Sequence, residues 1–239
     1  MTARWEPPEG VSRAAGGLLG VVGGETWHPR GGVSRVGRCG PIAAAMLDLS
    51  YGYLNHASDG PPTDIAERHD GAPAPAWLLS AAIVRPHVAG LVSDTLELAA
   101  ARGVPRSLLS SCVVYAELAA CLFAGWPTTD AIVAATGQSA PRLTAAPTLC
   151  GDTVIDAVSV AIWALNTPGD VASIVQRLGR VTTPGVIAGV AGLLGLRDGA
   201  DSIPRLSHRR LRPLVDGVAL AEALTRLRHG PTIQRAGYP

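Results

Sequence analysis

The chain has 239 residues, enough for one large domain or two small ones, and its 47% hydrophobic content supplies ample material for a core. Its 20 basic and 19 acidic residues give a formal net charge of +1, which argues against general electrostatic binding of nucleic acid or of anionic membranes. All 20 basic residues are Arg, so chemistry that needs a lysine, such as a Schiff base or a P-loop, is excluded.

Helices separated by proline and glycine clusters are predicted in this order: 11–23, 41–56, 76–102, 106–124, 128–136, 151–165, 168–178, 184–196 and 211–229. Several follow typical start signals, such as PTTD before AIVAAT and TPGD before VASIVQRL. Period-two alternation is nearly absent, so no strand is predicted. The proline-rich segment SDGPPTDIAERHDGAPAPAW is predicted to be a loop too short to link two domains. We therefore predict one compact all-α domain over residues 1–239, with loose termini at 1–10 and 230–239.

Glycines that share one helical face recur at a spacing of four: Gly16, Gly20 and Gly24; Gly185 and Gly189; Gly195 and Gly199. Each glycine costs a helix about 1 kcal/mol relative to alanine, so this repetition predicts close backbone approach between helices. The uncharged run VTTPGVIAGVAGLLGL, residues 181 to 196, is shorter than the roughly 18 to 20 residues that span a bilayer. It is predicted to be a buried helix in a tightly packed central layer.

Targeting and cysteine patterns are sparse. The N-terminal segment MTARWEPPEG has no basic stretch followed by an apolar one of signal-peptide length, so a cytoplasmic location is expected. The four cysteines, Cys39, Cys112, Cys121 and Cys150, show no CxxC spacing. In a reducing compartment they are predicted to be small buried hydrophobes.

Three segments carry a resemblance to a known family. GGLLGVVGGETWHP resembles the first-helix signature of the ADP-ribosylglycohydrolase family, G-x-x-x-G-x-x-x-G-D, with Glu25 where Asp is usual. AAIVRPHVAGL is similar to the family's Met-Arg segment, with Arg85 in the arginine position. DTVIDAVSVAIWALNTPGDVASIVQRLGR followed by GVIAGVAGLLGLRDGADSIP is similar to its C-terminal helices. The resemblance implies a single compact multi-helix domain of the ADP-ribosylglycohydrolase-like type.

The family's chemistry rests on two carboxylate clusters that hold a pair of magnesium ions. In this sequence the first cluster aligns with Gly40, Pro41 and Ile42, and the second with Thr182 to Gly185, and neither contains an acid. Two divalent cations need several anionic oxygen ligands, which threonine hydroxyls do not supply. The resemblance therefore implies a degenerate member with no metal site and no cofactor.

Two functions stay open. The first is a non-catalytic protein that binds a nucleotide-like ligand, another small molecule or a protein partner in the former catalytic cleft. The second is a metal-independent enzyme, a hydrolase, lyase or cyclase, that uses the same cleft. No oligomeric state is predicted.

Candidate catalytic residues follow the first glycine-rich helix. Glu25 and His28 offer a carboxylate and an imidazole for proton transfer, and Trp27 offers a ring that stacks on a base or an apolar ligand. The alternative for Glu25 is a solvated acid at the end of a helix.

Four further residues are predicted to bind the ligand. Arg85 and His87 flank Pro86 in an apolar stretch, where they suit an anion or, alternatively, form a satisfied core pair. Asp152 and Asp156 lie one helical turn apart and suit a paired-carboxylate site, although a capping role is the alternative for Asp152.

Overall fold

A computed structural model describes residues 9–26, 40–55, 60–67, 75–85, 87–137, 147–179, 182–203 and 217–229. Within these ranges the chain forms helices and no strand: α1 Glu9–Thr26, α2 Pro41–Asn55, α3 Thr63–Glu67, α4 Leu79–Val84, α5 Val88–Ala101, α6 Leu109–Phe123, α7 Thr128–Thr136, α8 Thr153–Asn166, α9 Val171–Leu178, α10 Pro184–Asp198 and α11 Gly217–His229. Short 3-10 helices span Pro75–Leu78, Arg106–Leu108 and Ala200–Ser202. The predicted all-α fold is confirmed.

The helix predicted over 76–102 is wrong as one element. It divides into the 3-10 helix Pro75–Leu78, α4 and α5, with Arg85 in an extended conformation at φ −83° and ψ 119° between them. Proline at 86 disfavours the helical region for the residue before it, which explains the break.

Two smaller expectations also need correction. The segment predicted as a proline-rich loop contains the one-turn helix α3, and Ile65 and Ala66 of that helix are buried. Glu9 and Gly10, expected in a loose terminus, are the first two residues of α1. Residues 211–216 of the last predicted helix lie outside the described ranges.

Close backbone approach between α1 and α10 organises the centre of the fold. A Cβ added to Gly16 would overlap the carbonyl oxygen of Gly195, and one added to Gly20 would overlap that of Ala191. Gly24 comes similarly close to Ala188. Every residue of α10 from 185 to 196 is buried. The predicted buried helix and its close-packing glycines are confirmed for this pair.

Gly189 takes no part in this crossing, whereas Gly199 takes part in it just beyond the end of α10. A Cβ on Gly189 would make only ordinary contacts, 3.5 Å from Ala157 and 3.6 Å from Tyr115, because Gly189 faces α8 and α6 and not α1. Gly199 follows the end of α10 with φ +80°, a backbone conformation that glycine adopts without strain. It also lies against α1, because a Cβ on Gly16 would be 2.6 Å from the Gly199 carbonyl carbon. Spacing alone therefore selected the right helix but not all of the contact positions.

Pairwise contacts fix which helix ends lie together. α2 and α4 run parallel, because Ser80 Oγ donates to the Met46 carbonyl at 3.1 Å and the guanidinium of Arg85 lies over the ring of Tyr53. α8 and α10 also run parallel, since Ala157 faces Gly189 and the Arg197 guanidinium donates to the Leu165 carbonyl at 3.2 Å.

α1 runs antiparallel to α10, so its C-terminal end reaches the N-terminal end of α10. One end of the bundle therefore gathers the C-terminus of α1 and the N-termini of α2, α8 and α10. We call it the Glu25 end, after the acid in the last turn of α1.

The stretch Arg106–Phe123, which includes α6, is the one described segment long and apolar enough to cross a membrane. Within the fold α6 is a core helix, because Tyr115, Leu118 and Leu122 are buried against neighbouring helices. The Tyr115 hydroxyl donates to the Gly189 carbonyl at 2.9 Å, which ties α6 to α10.

The cysteines differ from one another in environment. Cys112 is buried, and burial raises the pKa of its thiol to about 11. Cys121 is half-buried, and Cys150 is exposed, so the prediction of buried cysteines is wrong for Cys150. Cys39 lies outside the described residues.

Candidate functional site

The Glu25 carboxylate caps the N-terminus of α2. The Ile42 N–H donates to Glu25 Oε1 at 3.2 Å, and the Ala43 N–H donates to Oε2 at 3.0 Å. Pro41 has no N–H, and the Ala44 N–H donates to the Gly40 carbonyl at 2.9 Å. Each donor of this first turn is paired, and the negative carboxylate lies at the positive end of the helix dipole.

Gly40 makes room for this contact. A Cβ built on Gly40 would overlap the Glu25 carboxyl group, so any larger residue would collide with it. In the family resemblance, Gly40 stands at the first position of a metal-binding acid cluster. Here the carboxylate that fills the space comes from α1 and faces N–H donors of the backbone.

Burial raises the pKa of the Glu25 carboxyl above its ordinary value of 4.5, while the hydrogen bonds from Ala43 and Ile42 partly oppose that rise. A carboxyl with a raised pKa suits acid–base chemistry. Its two backbone contacts, however, hold both oxygens against α2.

Asp152 and Asp156 also engage the backbone. Asp152 is the N-cap of α8 and accepts from the N–H groups of Val154 at 2.9 Å and Ile155 at 3.2 Å. Asp156 is buried, and its carboxylate accepts from the N–H groups of Cys150 at 2.8 Å and Gly151 at 3.1 Å.

These contacts put both carboxylates at the start of α8. They reproduce the capping role that the sequence left as the alternative for Asp152, and they tie the loop before α8 to the helix.

Thr183 is the N-cap of α10, at the position of the family's second acid cluster. The Val186 N–H donates to Thr183 Oγ1 at 3.4 Å, and Pro184 follows as the first helical residue. A threonine cap and a proline at the first position are typical of helix starts. The residues here thus begin a helix.

Acids near the Glu25 end do not form a cluster of metal ligands. In the described ranges no three His, Cys, Asp or Glu side chains are grouped so that they could hold one ion. The carboxylates of Glu25, Asp152 and Asp156 each accept two backbone N–H groups. A dimagnesium pair does not fit this donor set.

The predicted site residues divide between two places. Trp27 and His28 lie outside the described residues. Arg85 approaches Tyr53 near the end of α2, whereas Glu25 contacts Ala43 near its beginning. Ten residues of helix separate these contacts by about 15 Å, so Arg85 and His87 do not join Glu25 in one cluster.

Arg85 belongs to a charged cluster with Asp94 and Tyr53. Arg85 Nε donates to Asp94 Oδ2 at 2.5 Å, and the Tyr53 hydroxyl donates to the same oxygen at 2.9 Å. Burial and the charge of Asp94 raise the pKa of Tyr53 well above its ordinary value, so the phenol remains the donor. Asp94 thereby fixes the orientation of the Arg85 guanidinium.

A cavity of about 250 Å³ opens beside Arg85. Its walls come from Arg85 and His87 and from α5, α6, α7 and α11, and they include Leu91, Glu117 and Trp126. Arg228 of α11 also lines it. The guanidinium of Arg228 donates to the carbonyls of Ala82, Ile83 and Arg85 at the C-terminal end of α4. We call this the Arg85 cavity.

Sequence reasoning missed most of this cavity. Asp94 carried a readable signal, because Leu91, Asp94 and Leu98 follow the helical spacing of a buried face and place an acid within it. Arg228 carried none, since its partners on α4 lie 143 to 146 residues earlier in the chain.

Comparison with solved structures finds proteins of the same architecture. One of these structures is that of an ADP-ribosylglycohydrolase-related protein complex, which aligns with a TM-score of 0.70 over 92% of this chain and 99% of that chain, at 20% sequence identity. The chain shares that protein's all-α fold. No family model matches the sequence, and no curated protein matches it. At this identity the likeness shows the fold and leaves the chemistry to the residues of this chain.

Proposed function

We propose that the protein is an ADP-ribosylglycohydrolase-like protein without a dimagnesium centre, and that it binds a small, nucleotide-like ligand at the Glu25 end without hydrolysing it. The observation that carries the proposal is the contact between Glu25 and the first turn of α2, because the resemblance aligns that turn with the family's first acid cluster. We expect the protein in the cytoplasm, where magnesium is available. On this proposal the centre is absent because its acid ligands are missing, and not because magnesium is scarce.

The chemistry of the Glu25 end supports an anionic ligand. Helix N-termini carry partial positive charge and favour phosphate groups, and α8 and α10 both begin there. Asp152 already takes two N–H donors of α8, so the N-terminus of α10, whose Thr183 cap carries no charge, is the better place for a phosphate.

Calorimetric titration tests the proposal in two parts. Titration with MgCl₂ and MnCl₂ should show no micromolar binding, whereas ADP-ribose should bind in the absence of added metal. Asp152→Asn should change ADP-ribose binding. Asp170→Asn is the matched control, because Asp170 caps α9 in the same way, by accepting from the Ser173 N–H at 2.7 Å, and lies beyond the far end of α8.

Either part can fail separately. Micromolar binding of about two magnesium ions, lost in Glu25→Gln or Asp152→Asn, would restore the dimetal hydrolase. If neither ADP-ribose nor metal binds, the proposal of a nucleotide-like ligand is wrong, whereas the proposal that the protein lacks a dimagnesium centre stands.

A metal-independent enzyme is the second candidate, and the raised pKa of Glu25 favours it. In that case Glu25 transfers a proton to a substrate bound at the same end. Turnover of ADP-ribosylated protein in the presence of EDTA, abolished in Glu25→Gln, would support it. Binding of ADP-ribose without turnover favours the first candidate.

A further inference from the structure

The Arg85 cavity is separate from the Glu25 end and is not used by the proposed function. It lies beside the C-terminal end of α4, whereas Glu25 contacts the N-terminal end of α2, and α2 and α4 are parallel. Any ligand of this cavity therefore meets a different set of groups.

Arg85 lines the cavity, and its guanidinium is held in a fixed orientation. Its Nε is held by Asp94, which is almost fully buried, and its guanidinium lies 5.8 Å from the centroid of the Tyr53 ring. Neither Nη atom of Arg85 has a hydrogen-bond partner in the part of the chain that the structure describes. A guanidinium held at Nε and open at both Nη atoms is preorganised to bind an anion.

Arg228 adds a second cation to the wall of the cavity. Nη1 donates to the carbonyls of Ala82, Ile83 and Arg85 at 3.0 to 3.3 Å, and the guanidinium lies 4.9 Å from the Phe123 ring. Across the described residues it forms no ion pair with a carboxylate. Burial also lowers the pKa of Arg228, as expected for a cation removed from water.

The opposite wall carries a carboxyl group that also lacks a partner. Glu117 of α6 has no hydrogen bond or ion pair among the described residues, and burial raises its pKa. It precedes Phe123, over whose ring the Arg228 guanidinium lies, by six residues, a rise of about 9 Å along α6. Between them the surface is apolar, with Leu91, Ala120 and Ala124.

We propose that the Arg85 cavity binds a small apolar carboxylate that carries a hydrogen-bond donor at its other end. The carboxylate contacts the Nη atoms of Arg85 and the guanidinium of Arg228, the apolar body packs against Leu91 and Ala120, and the donor reaches Glu117.

Charge selects a carboxylate over a phosphate. Asp94 offsets Arg85, and an ionised Glu117 offsets Arg228, so these two arginines and two acids sum to about zero. A monocarboxylate adds one negative charge beside these acids, whereas a phosphate dianion adds two, so the monocarboxylate is repelled less. The apolar walls add binding only for a ligand with a hydrocarbon body.

Calorimetric titration with 3-(4-hydroxyphenyl)propanoate tests the assignment. Its neutral amide and its analogue without the hydroxyl should each bind about tenfold more weakly, because each loses a hydrogen bond to a charged group. Arg85→Gln should weaken binding by a similar factor. Arg226→Gln is the control, since Arg226 is an exposed residue of α11 outside the cavity lining and pairs with Glu222 on the surface.

A second variant keeps the proposal testable if Arg85→Gln does not fold. Ala120→Leu fills the cavity from a half-buried position on α6, so it should abolish binding of the probe while the far-ultraviolet circular dichroism stays helical. Equal binding of the acid and its amide, unchanged binding by Ala120→Leu, or displacement of the probe by inorganic phosphate at lower concentration would overturn the proposal. Displacement by ADP-ribose would overturn the separation of this cavity from the Glu25 end.

Discussion

At the scale of single residues, Glu25 and Gly40 form a complementary pair. Glutamate is one carbon longer than the aspartate usual at this position of the family pattern, and it reaches the N–H groups of Ile42 and Ala43. Glycine at position 40 leaves the space through which the carboxyl passes. Neither substitution explains the contact alone, because the reach comes from one residue and the room from the other.

This complementarity predicts the effect of Gly40→Ala. The new Cβ would overlap the Glu25 carboxyl, so we expect a loss of about 1 to 3 kcal/mol in the free energy of unfolding, the usual range for overpacking. In Glu25→Ala the same Gly40→Ala change should cost much less, which urea denaturation of the four proteins measures as a coupling free energy. Gly90→Ala is the control, because a Cβ there meets nothing within 4 Å. Additive effects of the two changes would contradict the contact.

The titration of Glu25 gives a second prediction at this scale. Its pKa is raised in the folded protein, so its contribution to stability is present below its ordinary pKa of 4.5 and is lost as pH rises through the raised value. We therefore expect the wild-type protein to lose stability relative to Glu25→Gln between about pH 4 and pH 7. Urea midpoints at both pH values measure the difference.

The pH dependence of stability that Asp170 contributes has the opposite direction to that of Glu25. Hydrogen bonds from Ser173 lower the pKa of this exposed N-cap acid, so its contribution is present above its ordinary pKa of 3.8 and is lost as pH falls. The difference in the free energy of unfolding between the wild-type protein and Asp170→Asn should accordingly become smaller at acidic pH. A wild-type advantage over Glu25→Gln that grows with pH would show that the backbone donors outweigh burial at Glu25.

The sequence predicted Glu25 but not its role. The sequence predicted a helix over 11–23 with Glu25 just after it, whereas α1 continues to Thr26 and contains Glu25. Its partners on α2 are 17 and 18 residues away, across a segment without periodicity, so no local pattern pointed to them. The Arg85–Asp94 pair was closer in sequence, yet the break at Arg85 that lets it form was hidden by the prediction of one helix over 76–102.

At the scale of helices, short breaks are stabilised by distant side chains. α4 is only six residues long, and its C-terminal carbonyls are exposed by the break at Arg85. Arg228 of α11 donates to these carbonyls, which is favourable because a cation opposes the negative end of the helix dipole. The break and the distant cap together create the wall of the Arg85 cavity.

The crossing of α1 and α10 predicts opposite effects for two glycines of the same helix. In Gly195→Ala the new Cβ would overlap the backbone of Gly16, which cannot rotate away, so we expect a loss of about 1 to 3 kcal/mol or more. Gly189→Ala places its Cβ at ordinary contact distance from Ala157 and Tyr115, so better helix propensity should stabilise it by up to about 1 kcal/mol. Thermal denaturation followed by circular dichroism ranks the two variants. An equal loss in both would mean that Gly189 also touches a backbone.

At the scale of the whole molecule, the first and last described helices close the fold. α1 packs on α10 and also on α11, where a Cβ on Gly217 would lie 3.1 Å from the side chain of Leu19. One hydrophobic core runs from Val11 to Leu224 and includes residues of each long helix. Because the helix nearest the N-terminus completes the packing of the helix nearest the C-terminus, neither half of the chain buries its apolar surface alone.

This closure predicts a single cooperative unfolding transition, as expected for one domain. Gly195→Ala, at the α1–α10 crossing, and Gly52→Ala, whose Cβ would lie 2.6 Å from Ile65 of α3, perturb separate parts of the core. If the core unfolds as one unit, differential scanning calorimetry should show each variant shifting the same transition, by about 2 to 4 °C per kcal/mol for a chain of this size. The calorimetric and van't Hoff enthalpies should also agree. Two resolved transitions, with each variant moving a different one, would divide the chain into two units and remove the argument that α1 and α11 depend on each other.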